Sequence, residues 1–224
     1  MEIFVPVSVS VVGILAAAVL ALIGYRRRRR AKENGAWARR HGWTHTKDGS
    51  HLRGRFRGTP FVRWGKYRYV LAGEHRGRAV LAFEYRYTKI YIHGPIETRY
   101  FQVVTVRVPR CPRLEVIRQD FVHKLFSLFG AHDLRLGNEE FDNAVRVRTD
   151  HDGFARQVLH PETMRWMLSD PRALEVPFRF GGDILLGWRE MRLEGDEVLE
   201  HADFLIDLLD RTPRHVLGDV PPAR

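Results

Sequence analysis

The residues of this chain that could do chemistry are a histidine pair, one cysteine, a glycine pair and two dense arginine runs. His41 and His45 are spaced to share one face of a helix, as metal ligands often do. Gly42 and Trp43 between them argue for a helix end instead, no H-E-x-x-H occurs, and no acidic third ligand sits at a recognisable offset. His151, between Asp150 and Asp152, fits helix capping better than metal binding. Cys111 has Arg110 and Arg113 nearby, which would favour a thiolate, yet Pro112 makes it a strand-exit residue and nothing marks a base. A single cysteine excludes a disulfide framework and any multi-cysteine zinc or iron–sulfur site. G-x-S-x-G, G-x-x-x-x-G-K-(S/T) and G-x-G-x-x-G are all missing, and Gly181-Gly182 is too short to cradle a phosphate. The sequence therefore names no catalytic residue, no metal site and no cofactor.

The arginine runs point to binding. From Arg53 to Arg68 the chain reads RGRFRGTPFVRWGKYR. Arg53, Arg55, Arg57, Arg63 and Arg68 form a candidate anionic-ligand surface, with Phe56, Phe61, Trp64 and Tyr67 able to stack on bases. The competing reading is a sheet with arginines in solvent and aromatics in the core, which has the same composition. The second run, Arg26, Arg27, Arg28, Arg29 and Arg30, followed by Lys32, forms a candidate membrane-surface contact.

What must position that second run is the segment before it. Ile3 to Tyr25 is 23 residues without a charged side chain. As a helix it would be about 34 Å long, against a hydrocarbon core of about 30 Å. The positive-inside rule then places the amino terminus outside and everything after Arg26 in the cytoplasm. A cleaved signal peptide fits poorly, because no basic residue precedes the apolar run and the charge follows it. The predicted location is the cell membrane, single-pass, with anionic inner-leaflet lipids as partners.

Charge is divided along the rest of the chain. Residues 33–113 carry 17 basic and 5 acidic side chains, and residues 114–224 carry 14 and 21. Such a gradient can hold the first half to an anionic membrane, dock the two halves together, or serve an acidic partner.

The hydrophobic pattern predicts an α+β fold. It comprises a transmembrane helix over 1–25, a basic juxtamembrane segment over 26–43, a cytoplasmic domain over 44–212 (whole, or split into 44–113 and 114–212) and a flexible tail over 213–224. Gly35 and Gly42 are expected to break any helix that prolongs the span, and Trp37 and Trp43 suit either headgroups or packing. Phe61–Arg63, Tyr67–Ala72, Ala79–Thr88 and Arg99–Val108 read as an antiparallel meander, with Ala79, Leu81, Phe83, Tyr85 and Tyr87 on one face and a long exposed loop from Lys89 to Thr98. Then come strands Leu114–Ile117 and Ala144–Arg148, a helix Asp120–Phe129, and a helix capped by Asp150 or Asp152 and running through Leu159. Pro161 opens a further helix. Pro177–Phe180 and Ile184–Trp188 form a hairpin across Gly181-Gly182-Asp183, and Asp196–Asp210 is an amphipathic helix whose acidic stripe faces water.

One stretch carries a family resemblance. FDNAVRVRTDHDGFARQVLHPETM, residues 141–164, resembles the F-D-x-x-V-x-V strand and F-A-x-x-x-L-x-P helix pair of bacterial membrane proteins with a domain of unknown function, and the layout is similar to that of uncharacterised actinobacterial proteins. The resemblance implies a fold and a membrane address and transfers no catalytic residue. The function expected is a membrane-tethered binding or scaffolding module, with an unidentified protein partner alongside lipid; a membrane-anchored enzyme is the alternative. A nucleic-acid role would show itself as affinity lost steeply with salt.

Overall fold

The computed structural model describes residues 4–91, 94–119 and 132–217. Its organising unit is a two-residue turn at Arg76-Gly77, both at positive φ (50° and 72°), the geometry that matches the twist of a tight hairpin. That turn joins β2 (Lys66–His75) to β3 (Arg78–Ile90). β1 (Thr44–Asp48) pairs with β2, and β4 (Ile96–Arg118) pairs with β3 from Val106↔Val80 out to Ile96↔Ile90. Because Lys89 and Ile90 pair with Glu97 and Ile96, the expected long loop shrinks to the residues between the strands.

β4 does not end at Val108. It continues through Arg110-Cys111-Pro112, with shifts of register on both sides of Cys111 that accommodate a residue lacking an N–H. β7 (Phe178–Arg189) accompanies it as one strand, so the expected hairpin at Gly181-Gly182 is corrected. Gly182, at φ +66°, sits opposite Cys111 and absorbs the irregularity that its partner imposes. β6 (Val145–Thr149) pairs with the far end of β4, and β5 (His132–Leu134) with β6, which completes a seven-stranded antiparallel sheet.

Alternation sorts the side chains onto two faces. Val80 and Ala82 of β3 and Val104, Val106 and Val108 of β4 join a core with the helices. These are α1 (Phe4–Arg40), α2 (Glu139–Ala144), α3 (Asp152–Val158), α4 (Pro161–Ser169), α5 (Pro171–Glu175), α6 (Gly195–Arg211) and α7 (Arg214–Leu217). On the other face Phe83, Tyr85, Tyr87 and Phe101 meet Phe56, Phe61 and Tyr67. There the Tyr85 hydroxyl donates to the Val62 carbonyl at 2.9 Å and accepts from the Val62 N–H at 2.6 Å.

Several local expectations are refined. Gly35 does not break α1, because the His45 ring packs against it; Gly42, at φ +70°, follows the helix end. The cap of α3 is His151 itself, whose Nδ1 accepts the Phe154 N–H at 3.0 Å, while Asp150 accepts the Arg113 N–H. The acidic stripe of α6 meets arginine rather than water alone: Asp203, Asp207 and Asp210 bind Arg76, and Asp210 also binds Arg78. Residues after Pro213 form α7, which buries Leu217. The helix expected over 120–129 and the last residues, 218–224, lie outside the described residues. Among the described residues no helix is long and apolar enough to cross a membrane. α1 is instead continuous through the arginine run to Arg40, with no break at Tyr25.

One buried group gives the core a pH dependence. His201 of α6 is 1% exposed, its ring lies against Gly187 of β7, and neither ring nitrogen has a hydrogen-bond partner. Burial, with the nearby Arg189 charge, pulls its pKa down to about 3. The folded state therefore keeps this imidazole neutral while the unfolded chain protonates it near its ordinary value. Stability is full above about pH 6.5 and falls as pH drops below it, by up to about 1.4 kcal/mol per pH unit. Urea unfolding of the full chain in detergent between about pH 8 and pH 4.5 is expected to show that slope, and His201→Leu to reduce it to the smaller contribution of His45, whose partial burial lowers its pKa in the same direction; the depressed carboxyls of Asp133, Asp170 and Asp207 act only lower still. A slope unchanged in His201→Leu would place the titration elsewhere.

Candidate functional site: an arginine-lined groove under the first helix

The site begins with a carboxylate in an unusual place. Glu84 follows Val80 and Ala82 on the helix-facing side of β3, where an ionised group has no water to lean on; its side chain is 3% exposed. Arg30 of α1 reaches down to it at 3.2 Å, and the Leu193 N–H donates to the same oxygen at 3.4 Å. Gln102, the cross-strand partner of Glu84, donates to the Glu197 carbonyl and accepts the Glu194 N–H, both at 3.2 Å. The segment between β7 and α6 is thus fastened to the sheet beside the helix.

Two tryptophans hold α1 further along. Trp37 donates its Nε1–H to Asp196 at 2.8 Å and lies flat over Gly195, where any side chain would overlap the indole. Trp43 occupies the space above Gly73 in the same way. Both are therefore packing residues.

Toward its amino-terminal end α1 lifts away from the sheet and leaves a groove of about 520 Å³. Its helix wall is Ile23, Arg26, Arg27, Arg29, Arg30 and Glu33. Its floor is Glu84 and Arg86 of β3 with Tyr100 of β4, and Arg192 closes one side with its guanidinium 3.8 Å from the Tyr100 ring centre. β2 contributes Arg68 and Tyr69. The strand shifts register between Arg68 and Leu71, and Tyr69 is held at φ +50°, rare for an aromatic residue. Such a bulge turns two consecutive side chains to one face, and both line the groove. The Tyr69 hydroxyl donates to the Arg27 carbonyl at 3.4 Å.

Of the residues singled out in the sequence, the groove collects Arg26, Arg27, Arg29, Arg30 and Arg68. Arg28 and Lys32 are exposed and do not line it. Arg53, Arg55, Arg57 and Arg63 are exposed on the segment that covers the opposite, aromatic face of the sheet, so the Arg53–Arg68 run is split between two surfaces. Phe56, Phe61 and Tyr67 are core, whereas Trp64 is exposed. His41 stacks on Trp37, and His45 lies on β1 beside Tyr69. Burial pushes the Cys111 thiol up to about 11, which removes the thiolate that its arginine neighbours would favour. Arg86, Arg192, Tyr69, Tyr100 and Glu84 were missed. Only Glu84, an acid in an apolar strand pattern, left a trace.

Chemically the groove offers guanidinium and phenol donors. Both of its carboxylates are engaged, Glu84 by Arg30 and Glu33 by Arg29 at 2.8 Å. Nothing in it is arranged as a nucleophile with a base.

The Arg30–Glu84 pair tests this geometry. Arg30→Ala leaves a buried carboxylate unpaired and is expected to destabilise by about 2–3 kcal/mol, less than a fully buried pair because Arg30 is partly exposed. Adding Glu84→Gln removes the stranded charge and should restore most of that loss in denaturant unfolding. Additive losses in the double variant would show that the two side chains are not coupled.

No family model and no curated protein matches the chain. Among solved structures, the crystal structure of the mycobacterial trehalose monomycolate transport factor A is similar, with a TM-score of 0.59 at 15% identity over 87% of this chain and 97% of that one. At that identity the likeness is one of fold.

Proposed function

We propose that this chain is a membrane-tethered binding or scaffolding module whose α+β domain is held at the cytoplasmic face of the bilayer, as an accessory component of lipid transport. The observation that carries the reading is the two-part character of α1. From Arg30 onward the helix is fastened to the sheet by Glu84, Asp196 and the tryptophan seats. Before the arginines its described side chains are open: Ile14, Leu15, Val19, Leu20 and Leu22 are 48–69% exposed. Moving such side chains from water to hydrocarbon gains about 1.5–3 kcal/mol each. The sequence extends that apolar character across residues 3–25, and the five arginines that follow favour a cytoplasmic domain. The similarity in fold to a transport factor for trehalose monomycolate supports a role in moving a lipid rather than altering one. The resemblance of residues 141–164 to bacterial membrane proteins points to the same address.

The full chain expressed in a bacterial host is expected to stay in membranes washed with alkaline carbonate. A carboxy-terminal fluorescent-protein fusion should be bright and a carboxy-terminal alkaline phosphatase fusion inactive. Release by carbonate, or an active phosphatase, would overturn the tether or its direction.

A further inference from the structure

We infer that the groove beneath α1 is a discrete binding site for the phosphate of an anionic phospholipid headgroup. The inference rests on the membrane-tethered reading above for its source of ligand, and on the geometry of the groove for its chemistry. Seven arginines and two glutamates line a volume of about 520 Å³. Arg29 and Arg30 answer the two glutamates, and Arg192 lies over Tyr100. Among the described residues Arg26, Arg27, Arg68 and Arg86 have no carboxylate partner. Four unanswered guanidinium groups in one concavity repel one another. Their planar forks match phosphate oxygens, and a shared anion turns the repulsion into charge-assisted hydrogen bonds.

Three features separate this site from a diffuse basic surface. Its cations come from four separate parts of the chain, α1, β2, β3 and the β7–α6 connection, and not from one run. Arg68 pairs with Glu84 and so shares its face, the bulge that follows turns Tyr69 at positive φ to that same side, and a strained bulky residue is the kind of cost found at binding sites. The groove is also graded: Ile23 lies at the end where the apolar part of α1 begins, and Arg30 with Glu84 closes the other. A headgroup phosphate enters among Arg26, Arg27, Arg68 and Arg86 while its acyl chains follow Ile23 and the apolar helix. A free phosphate compound satisfies the same arginines and has no use for the apolar end.

The test uses the full chain in neutral detergent, with ligand retention read by native mass spectrometry. The probes are phosphatidylglycerol, phosphatidylcholine and inorganic phosphate. One phosphatidylglycerol is expected to bind per chain, in preference to phosphatidylcholine and undisplaced by millimolar inorganic phosphate. Arg68→Gln/Arg86→Gln is expected to weaken that binding by about thirtyfold, the product of two basic contacts of ordinary strength. Arg53→Gln/Arg57→Gln removes the same charge from the opposite face and should leave it within about twofold. Arg68 and Arg86 hold no ion pair, so the variant folds, and relief of repulsion should leave its melting temperature unchanged or raised. Equal losses in the two variants, or no loss in the first, overturn the site. Inorganic phosphate binding as well as the lipid overturns the lipid assignment. Carbonate extraction of Arg68→Gln/Arg86→Gln reads the tether separately: a chain that stays in the membrane yet loses the lipid leaves the tethered reading intact, and one that leaves the membrane does not.

Discussion

An almost fully buried carboxylate fixes the position of the first helix. Glu84 occupies a strand position whose neighbours on the same face, Val80 and Ala82, belong to the core. Burying it without a cation would cost several kcal/mol. Arg30 supplies that cation, and in doing so sets both the height and the rotation of α1 on the sheet. Once Arg30 is seated, helical geometry carries Arg26 and Arg27 to the groove and turns Arg28 and Lys32 away. The run Arg26–Arg30 looks uniform in sequence, yet its members differ: one is a structural counter-ion, others line a concavity, and one faces solvent.

The division of charge along the chain has a related explanation. The turn of the basic half, with His75, Arg76 and Arg78, meets the acidic stripe of the last long helix, and Arg172 joins it through Asp207. Each such contact is partly exposed and contributes less than about 1 kcal/mol. Their number lets the stripe lie over basic strands without repulsion, so α6 can bury Val198, Ala202, Leu205 and Leu209. Docking of the two halves is one of the roles the charge gradient allowed. β4, with partners on both sides of residue 113, makes that docking continuous.

The sequence made some of this legible and hid the rest for physical reasons. The alternation Leu81, Phe83, Tyr85, Tyr87 identified a buried sheet face because period-two hydrophobicity is a local signal. Pro161 and the periodicity of α6 were equally local. The continuation of β4 past Pro112 was not, because only the accompanying β7 shows that the irregularity is a bulge and not an end. Gly182 reads as a turn residue in isolation and serves as the bulge's counterpart in context. The groove was the least visible feature. Arg68 stood in a conspicuous run whose other members face the opposite way, while Arg86 and Arg192 stood in none. Their meeting depends on strand register and on where a long helix comes to rest.

The absence of a break at Tyr25 has a mechanical consequence. Arg26 and Arg30 are separated by about 6 Å of helix rise, so no slack intervenes between the exposed apolar part of α1 and the part bolted to the sheet. Any tilt or rotation imposed on the exposed end must swing the sheet with it as a stiff lever. A partner that grips the exposed end would therefore meet one orientation of the domain, at one distance, and could drag or be dragged by it without either touching the other's interior.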